Sequence, residues 1–205
     1  MMRTKQAIVF DLGGVLVDWN PRYLYRKLFG EEEAAMERFL AEVCTGEWNA
    51  KQDAGRPLSV ATAELIAKHP AQEALIRAYY DRWAEMVGGA IEPTVEILAA
   101  LKGAAYPLFA LSNWSAETWP IARERFSFFE MFEHIVISGE IEMVKPDREI
   151  FAHLLEKARR PAEACVFIDD SPGNVTAAAA LGFDAIHFHS PAQLREELVR
   201  REILP

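Results

Sequence analysis

An acid at the end of a short apolar run constrains this chain more than any other feature. Residues 7–10 are apolar, Asp11 follows them, and Gly13 and Gly14 come shortly after. A run of this length is typical of a buried parallel strand, and glycines let the backbone approach whatever the acid touches. Open α/β sheets place their chemistry at such strand ends. Asp11 is therefore a candidate nucleophile, although an Asp that only caps the next turn fits this segment equally well.

The composition indicates a globular protein with a sizeable core. The chain has 205 residues, of which 51% are hydrophobic and 26% are charged. Its formal net charge of -9 argues against a nucleic-acid partner, which requires a basic face. We find no apolar stretch long enough for a bilayer and no signal-peptide core. We therefore expect a cytoplasmic protein, monomeric or homodimeric, that acts on a small molecule. Cys44 and Cys165 lack CxxC spacing and are expected to be reduced thiols.

The pattern over residues 21–88 predicts a helical segment. Apolar residues recur there at helical spacing, and no strand pattern is convincing. The expected local features are interruptions at Gly46 and Asn49, a turn at 53–57, a helix capped by Ser59 and running toward Lys68, and a long helix over 72–86 that ends at Gly88 and Gly89.

Strand and helix patterns alternate after residue 89. Repeated βα units predict a parallel, Rossmann-like sheet with helices on both faces. Because the first strand is separated from the others, we predict an α/β core formed by residues 1–18 and 89–205 and an inserted all-helical cap formed by residues 19–88. The expected strands are 107–111, 135–138, 164–168 and 185–188, and the expected helices are 93–101, 116–125, 148–158, 174–181 and 191–201.

Reactive residues follow later strands of the predicted sheet. Ser112-Asn113 ends one strand, Asp169-Asp170 ends another, and Lys145 follows the loop after a third. The carboxyl ends of parallel strands meet at one edge, so these residues can share a site with Asp11. Adjacent carboxylates at a strand end need a cation to relieve their repulsion. Taken singly, Ser112 could be a helix cap, Lys145 a surface charge and Asp169 a turn former.

Four segments carry a resemblance to a known family. They are Asp-Leu-Gly-Gly-Val-Leu at 11–16, Leu-Ser-Asn at 111–113, Lys-Pro at 145–146 and Phe-Ile-Asp-Asp-Ser-Pro-Gly-Asn-Val at 167–175. In order, spacing and strand context the chain resembles the haloacid dehalogenase-like (HAD) hydrolases. The resemblance covers essentially the whole chain and includes a helical cap directly after the first motif.

The resemblance implies roles for the strand-end residues. Asp11 is expected to attack phosphorus and form an aspartyl-phosphate, which divides one hydrolysis into two steps. Ser112 is expected to hydrogen-bond a phosphoryl oxygen, together with nearby backbone amides, and Lys145 to offset negative charge. Gly14 and Asn113 are expected to contribute to substrate binding.

The resemblance also implies a bound Mg²⁺ ion. Asp11, the carbonyl of Gly13 and the acidic pair are the expected ligands. Asp170 is expected to contact the metal directly, and Asp169 to act through water or as an orienting partner. Asn174 either braces this loop or is an ordinary capping or helix-surface residue.

Gly13 departs from the pattern of the HAD phosphatases. These enzymes usually carry a second Asp at this position, which protonates the leaving group and then activates water. General acid-base help is worth about 10²–10⁴-fold, so its absence predicts a slow enzyme or a leaving group that needs little protonation. The cap, water or Asp18 could supply the proton, although Asp18 is more simply a hinge residue. A branch resembling sugar-1-phosphate phosphatases has the same Asp-x-Gly motif.

The residues favour a Mg²⁺-dependent phosphomonoester hydrolase that acts on a small metabolite such as a sugar phosphate. Two other functions stay open. A 2-haloacid dehalogenase uses the same nucleophile without metal or leaving-group acid, which suits Gly13. The pair Asp169-Asp170 argues against it, because a metal-free site that binds a carboxylate has no use for two further acids. A weakly active protein that binds a phosphorylated ligand also suits Gly13, but the retained Asp11 and Lys145 argue against it.

Substrate choice is expected to depend on the cap. Trp19 at the hinge and Trp48 in the expected helical break are candidate substrate-binding residues. Trp114 is a candidate apolar wall. For each tryptophan, packing in the core is the alternative. Other candidates for the cavity lining are Asn20, Asn49, Lys51 and Gln52, whereas His134, His187 and His189 lack metal-site spacing.

Overall fold

A five-stranded parallel sheet forms the centre of the protein. The computed structural model describes residues 6–205, so the first five residues of the predicted core segment lie outside it. The predicted Rossmann-like α/β architecture is confirmed. Its strands, numbered in chain order, are β1 (Ala7–Phe10), β4 (Leu108–Ser112), β5 (His134–Ile137), β6 (Cys165–Asp169) and β7 (Asp184–His187), arranged in the order β5-β4-β1-β6-β7.

Helices cover both faces of this sheet, as predicted. The residues of β1 are fully buried and alternate between two hydrophobic clusters, with Ile8 and Phe10 in one and Ala7 and Val9 in the other. Such burial on both sides explains why the strand is apolar throughout. The first cluster includes α6 (Glu92–Gly103) and α11 (Pro191–Arg200), and the second includes α9 (Arg148–Ala158) and α10 (Pro172–Ala180).

A two-stranded ribbon connects the core to the inserted helical segment. β2 (Val17–Trp19) pairs antiparallel with β3 (Val87–Ala90). We call residues 20–86, between these strands, the cap. The sequence predicted helix up to Gly88 and Gly89, and this was wrong because both glycines lie in β3. The predicted domain boundaries fall inside the ribbon.

The cap is helical and has an aromatic interior. Tyr25 packs against Phe39 with ring centroids 5.1 Å apart, and Trp48 packs edge-to-face on Tyr79 at the same distance. The cap helices are α1 (Arg22–Phe29), α2 (Glu33–Glu42), α3 (Gly46–Asp53), α4 (Leu58–Lys68) and α5 (Glu73–Asp81), with 3₁₀ turns at Pro70–Gln72 and Trp83–Met86.

Local predictions for the cap were wrong in three places. Gly46 and Asn49 do not interrupt the helical pattern but lie in α3, because Thr45 caps that helix and accepts a backbone N–H of its first turn at 3.0 Å. Ser59 does not cap α4, which begins one residue earlier. The long helix expected over 72–86 is divided into α5 and a 3₁₀ turn.

The remaining helices lie in the core. They are α7 (Trp119–Arg125) and the short α8 (Ser138–Ile141), with further 3₁₀ turns at Ser127–Met131 and Ala162–Ala164. Among residues 6–205, none of the helices has both the length and the apolar character required to cross a bilayer. Cys44 and Cys165 are buried and free.

Candidate active site

The structure brings the predicted strand-end residues together at one edge of the sheet. Asp11 follows β1, Ser112 ends β4 and Asp169 ends β6. Lys145 Nζ lies 3.0 Å from Asp11 Oδ1 and 2.6 Å from Asp169 Oδ2. The Ser112 hydroxyl donates to Asp11 Oδ1 at 2.8 Å. These four side chains therefore form one buried, hydrogen-bonded cluster.

The electrostatics of this cluster favour a charged Lys145. Burial raises the pKa of Asp11, the Lys145 ammonium opposes this change, and the Asp169 carboxylate adds to it. Burial also disfavours the charged form of Lys145, but the two carboxylates outweigh this effect and raise its pKa. Lys145 therefore stays cationic and can offset negative charge that gathers at Asp11.

Asp169 and Asp170 differ in burial and in the hydrogen bonds that they accept from the protein. Asp169 is completely buried, and besides Lys145 it accepts the Ser171 backbone N–H at 2.8 Å. Asn174 is buried and donates to both Asp169 oxygens, at 3.0 and 3.1 Å. Asn174 thus braces Asp169, which corrects the alternative of a helix-surface residue. Asp170 is exposed and lines the cavity above Asp11.

The carboxylates form an arrangement that fits a hard divalent cation. Oxygens of Asp11, Asp169 and Asp170 lie within 4.8 Å of one another. Burial raises the pKa of Asp170, and the charge of Asp169 adds to this, so a cation would relieve the repulsion. Gly14 has φ +73°, and a Cβ there would lie 2.3 Å from Asp170 Oδ2. Only glycine lets this carboxylate stand so close to the turn. An all-oxygen donor set suits Mg²⁺.

A cavity of about 260 Å³ lies over these residues, between the core and the cap. It is the candidate active site because it contains Asp11, whereas a larger cleft of about 740 Å³ beside α7 contains none of the predicted catalytic residues. Core residues that line the cavity are Asp11, Gly13, Gly14, Ser112, Asn113, Trp114, Ser115, Thr118 and Asp170. The hinge and the cap contribute Trp19, Asn49, Asp53, Tyr80 and Trp83.

The predicted tryptophans divide between the cavity and the cap interior. Trp19 and Trp114 line the cavity. The Trp19 indole Nε1 is buried and has no hydrogen-bond partner within residues 6–205. Trp48 lies elsewhere, packed against Tyr79, with its indole N–H 3.4 Å from the carbonyl of Ala61. Trp48, which we expected to bind substrate, therefore does not line this cavity, since α3 turns its side chain into the cap interior.

The remaining candidate residues differ in whether they reach the cavity. The Asn113 side chain lines the cavity and is bound to the backbone of Lys145, donating at 2.9 Å and accepting at 2.8 Å. Asp18 accepts the Tyr23 hydroxyl at 2.7 Å in the hinge. His187 Nε2 lies 3.0 Å from the carbonyl oxygen of Asp170. Asn49 lines the cavity as expected, whereas Asn20, Lys51 and Gln52 do not.

Sequence reasoning missed Asp53, which was expected only in a turn. It is the last residue of α3, lines the cavity and accepts the Asn49 side-chain N–H at 3.1 Å. Burial raises the pKa of Asp53 to about 7; a backbone hydrogen bond from Ser115 opposes this, and the charge of Asp11 adds to it. Its only sequence signal is the spacing of four from Asn49, which places both on one helix face.

Comparison with known proteins identifies the family. The model of the haloacid dehalogenase-like hydrolases matches residues 5–182. The chain belongs to this family. A sesquiterpene phosphatase of Aspergillus oryzae is 25% identical over 190 residues, 91% of each protein. A phosphorylated carbohydrates phosphatase of Thermotoga maritima is 24% identical over 190 residues, 89% of this chain and 84% of that protein. These relatives favour phosphatase over dehalogenase activity in this HAD-like hydrolase.

Solved structures show the same HAD fold. A HAD-family enzyme of Bacteroides thetaiotaomicron, in complex with magnesium and inorganic phosphate, has a TM-score of 0.69 and 22% identity over 91% of this chain and 95% of that one. An L-2-haloacid dehalogenase has a TM-score of 0.64 and 20% identity over 89% and 86%. At these identities the likeness concerns the fold alone.

Proposed function

We propose that this hydrolase is a Mg²⁺-dependent phosphomonoester phosphatase that works through an aspartyl-phosphate on Asp11. The observation that carries the proposal is the acidic pair beside the nucleophile. Asp169 pairs with Lys145, but Asp170 adds a further carboxylate within 4.8 Å of Asp11. A metal-free dehalogenase has no use for this charge, whereas a phosphatase needs a cation to bring an anionic substrate to an anionic nucleophile.

The residues present divide the binding of phosphate between them. Asp11 is fixed for attack because Ser112, Lys145 and the Leu12 backbone N–H, at 2.7 Å, all hold its Oδ1. The Lys145 ammonium offsets charge as the phosphoryl group approaches. When phosphate binds, the Ser112 hydroxyl can turn its one proton from Asp11 Oδ1 to a phosphoryl oxygen, and backbone amides of the turn after Asp11 can add further donors.

We infer the metal ligands from which carboxylate oxygens already accept hydrogen bonds from the protein. Asp11, Asp170 and the carbonyl of Gly13 would hold Mg²⁺, and Asp169 would orient the site, since both of its oxygens already accept hydrogen bonds from the protein. When bound, Mg²⁺ supplies electrostatic stabilisation of the phosphoryl oxygens. Water then attacks the phosphorus of the aspartyl-phosphate, which releases phosphate and restores the Asp11 carboxylate.

The cavity supports a small metabolite as the substrate. Its volume of about 260 Å³ accommodates a phosphoryl group and a compact organic part. Aromatic side chains and Asn49 together suit a molecule with an apolar face and hydroxyl groups, such as a sugar phosphate. The relative from Thermotoga maritima, a phosphorylated carbohydrates phosphatase, supports this choice. We further propose a cytoplasmic enzyme, monomeric or homodimeric, without a nucleic-acid or membrane partner.

The test measures release of phosphate from a panel of small phosphomonoesters and of halide from 2-chloropropionate, each with Mg²⁺ and with EDTA. We expect phosphate release with Mg²⁺ only, no activity for Asp11→Asn and strongly reduced activity for Asp170→Asn. Asp81→Asn, an exposed acid at the end of α5, is the matched control. Full activity in EDTA would refute the metal, and halide release without phosphate release would establish the dehalogenase instead.

A further inference from the structure

Position 13, on the core side of the cavity, carries glycine where HAD phosphatases usually carry the acid that protonates the leaving group. Gly13 lines the cavity, and a Cβ built at this position meets no atom within 4 Å. The first carbon of a side chain would therefore meet no obstacle at this position. Asp169 is engaged by Lys145 and Asn174, so the core offers this acid no freedom to replace the missing one.

Asp53 brings a carboxyl group to the same cavity from the opposite, cap side. Asn49 donates to its Oδ2 at 3.1 Å, and a backbone hydrogen bond from Ser115 also reaches its side chain. Its main-chain carbonyl accepts the Ser138 hydroxyl at 2.5 Å. Asn49 belongs to the cap, whereas Ser115 and Ser138 belong to the core. Contacts from both parts thus hold Asp53 over the site when the cap is closed.

The surroundings of Asp53 allow it to exchange a proton near neutral pH. The charged group that faces it from the core is Asp11, and the titratable groups from α5 are the phenols of Tyr79 and Tyr80. Burial is the largest cause of the raised pKa of Asp53, about 7, and the Asp11 charge adds to it against the hydrogen bond from Ser115. An acid with this pKa can give a proton and take one back at neutral pH.

The geometry points to Asp53 as the general acid and base of the reaction, supplied by the cap in place of an acid at position 13. This inference rests on the proposed phosphatase function. In the first half, an Asp11 oxygen bonds to phosphorus, the bond to the leaving oxygen breaks, and the Asp53 proton passes to that oxygen. In the second half, water attacks phosphorus and gives a proton to Asp53 as the bond to Asp11 breaks. Chemistry then requires a closed cap.

The test compares Asp53→Asn with wild type on leaving groups of different basicity. Glycerol phosphate needs its leaving oxygen protonated, whereas p-nitrophenolate leaves without a proton. For Asp53→Asn we expect kcat on glycerol phosphate to fall about 10²–10⁴-fold. With p-nitrophenyl phosphate we expect a burst of nitrophenolate equal to the enzyme concentration, since the second half still lacks its base. The fall of kcat/KM above neutral pH should disappear in the variant.

Two controls and one rescue variant separate this role from a structural one. Asp81→Asn makes the same change on an exposed cap helix end and should retain wild-type kinetics. Inhibition by orthovanadate should be unchanged in Asp53→Asn, which shows that the site is folded. Adding Gly13→Asp to Asp53→Asn should restore turnover of glycerol phosphate, because a Cβ at position 13 meets no atom within 4 Å and the acid would stand beside the nucleophile. A further fall in the turnover of glycerol phosphate by this double variant would contradict the idea that an acid at position 13 can replace Asp53.

The outcomes distinguish this inference from the proposed function. Wild-type kinetics of Asp53→Asn on both substrates, or an equal loss on both with the pH dependence retained, overturns the role of Asp53. If Asp11→Asn is inactive in the same experiment, the phosphatase proposal stands. If the wild type releases no phosphate from any ester, the proposed function and this inference fall together.

Discussion

Replacing Lys145 by Met should destabilise the protein strongly, because buried carboxylates lose their cation. The Lys145 side chain is 1% exposed and pairs with Asp11 at 3.0 Å and Asp169 at 2.6 Å, whose side chains are 10% and 0% exposed. Methionine is a similarly long, flexible and uncharged side chain. The substitution therefore removes the charge while much of the packing is retained.

The size of the effect follows from what remains around the carboxylates. Removing one partner of a buried ion pair costs about 3–5 kcal/mol. Asn174 and Ser171 still donate to Asp169, and Ser112 still donates to Asp11. We therefore expect the lower end of this range, about 3 kcal/mol, at pH 7.5 without Mg²⁺.

The loss of unfolding free energy caused by Lys145→Met should increase with pH. Burial already raises the pKa of Asp11, and loss of the ammonium raises it further. The folded variant then binds more protons at this group than the unfolded chain does, so its stability falls as pH rises. The difference from wild type should accordingly be largest at pH 7.5 and should shrink as the pH is lowered toward 5.

Urea unfolding followed by circular dichroism, in EDTA, measures this difference. Lys68→Met, an exposed lysine at the end of α4, is the matched control and should change the unfolding free energy by less than about 0.5 kcal/mol. A loss below about 1 kcal/mol for Lys145→Met at pH 7.5, or an equal loss at pH 5, would refute the argument that this ammonium neutralises the buried carboxylates.

Gly14→Ala should weaken Mg²⁺ binding in calorimetry, since the new Cβ would lie 2.3 Å from Asp170 Oδ2; unchanged affinity would show that the carboxylate is not the ligand. Asn174→Ala should lower the unfolding free energy in urea by about 1–3 kcal/mol, because the buried Asp169 loses a donor, and a loss within error would contradict this. Trp19→Phe should raise KM about 5-fold with little change in kcat if its buried N–H donates to substrate, whereas an unchanged KM would exclude that contact.

The core elements could be predicted because their patterns are strong and their positions follow from topology. Helix 148–158 was predicted with the bounds that the structure shows. The strand-end residues could be placed together because parallel strands present their carboxyl ends to one edge. The contact between Asp11 and Lys145 follows less directly, because Lys145 lies in the loop after α8 and the preceding strand, β5, is two places from β1 in the sheet.

The cap could be predicted only as a helical block. β2 and β3 have three and four residues, and β3 contains two glycines, so neither has a periodicity to detect. The faces of α3 posed a second difficulty. Trp48 and Asp53 are both on this helix, but one packs into the cap interior and the other faces the cavity. Which residue reaches the site depends on how the cap docks, and local sequence does not encode that.

The missing acid at position 13 and the position of Asp53 can both be explained by the way the cap docks on the core. A core acid would be present whether the cap is open or closed, whereas an acid on α3 reaches the cavity only while Ser115 and Ser138 hold it there. Protonation of the leaving group then coincides with the exclusion of bulk water by the cap. In this arrangement we expect the space beside Gly13 to take part of the substrate, because a Cβ built at this position meets no atom within 4 Å.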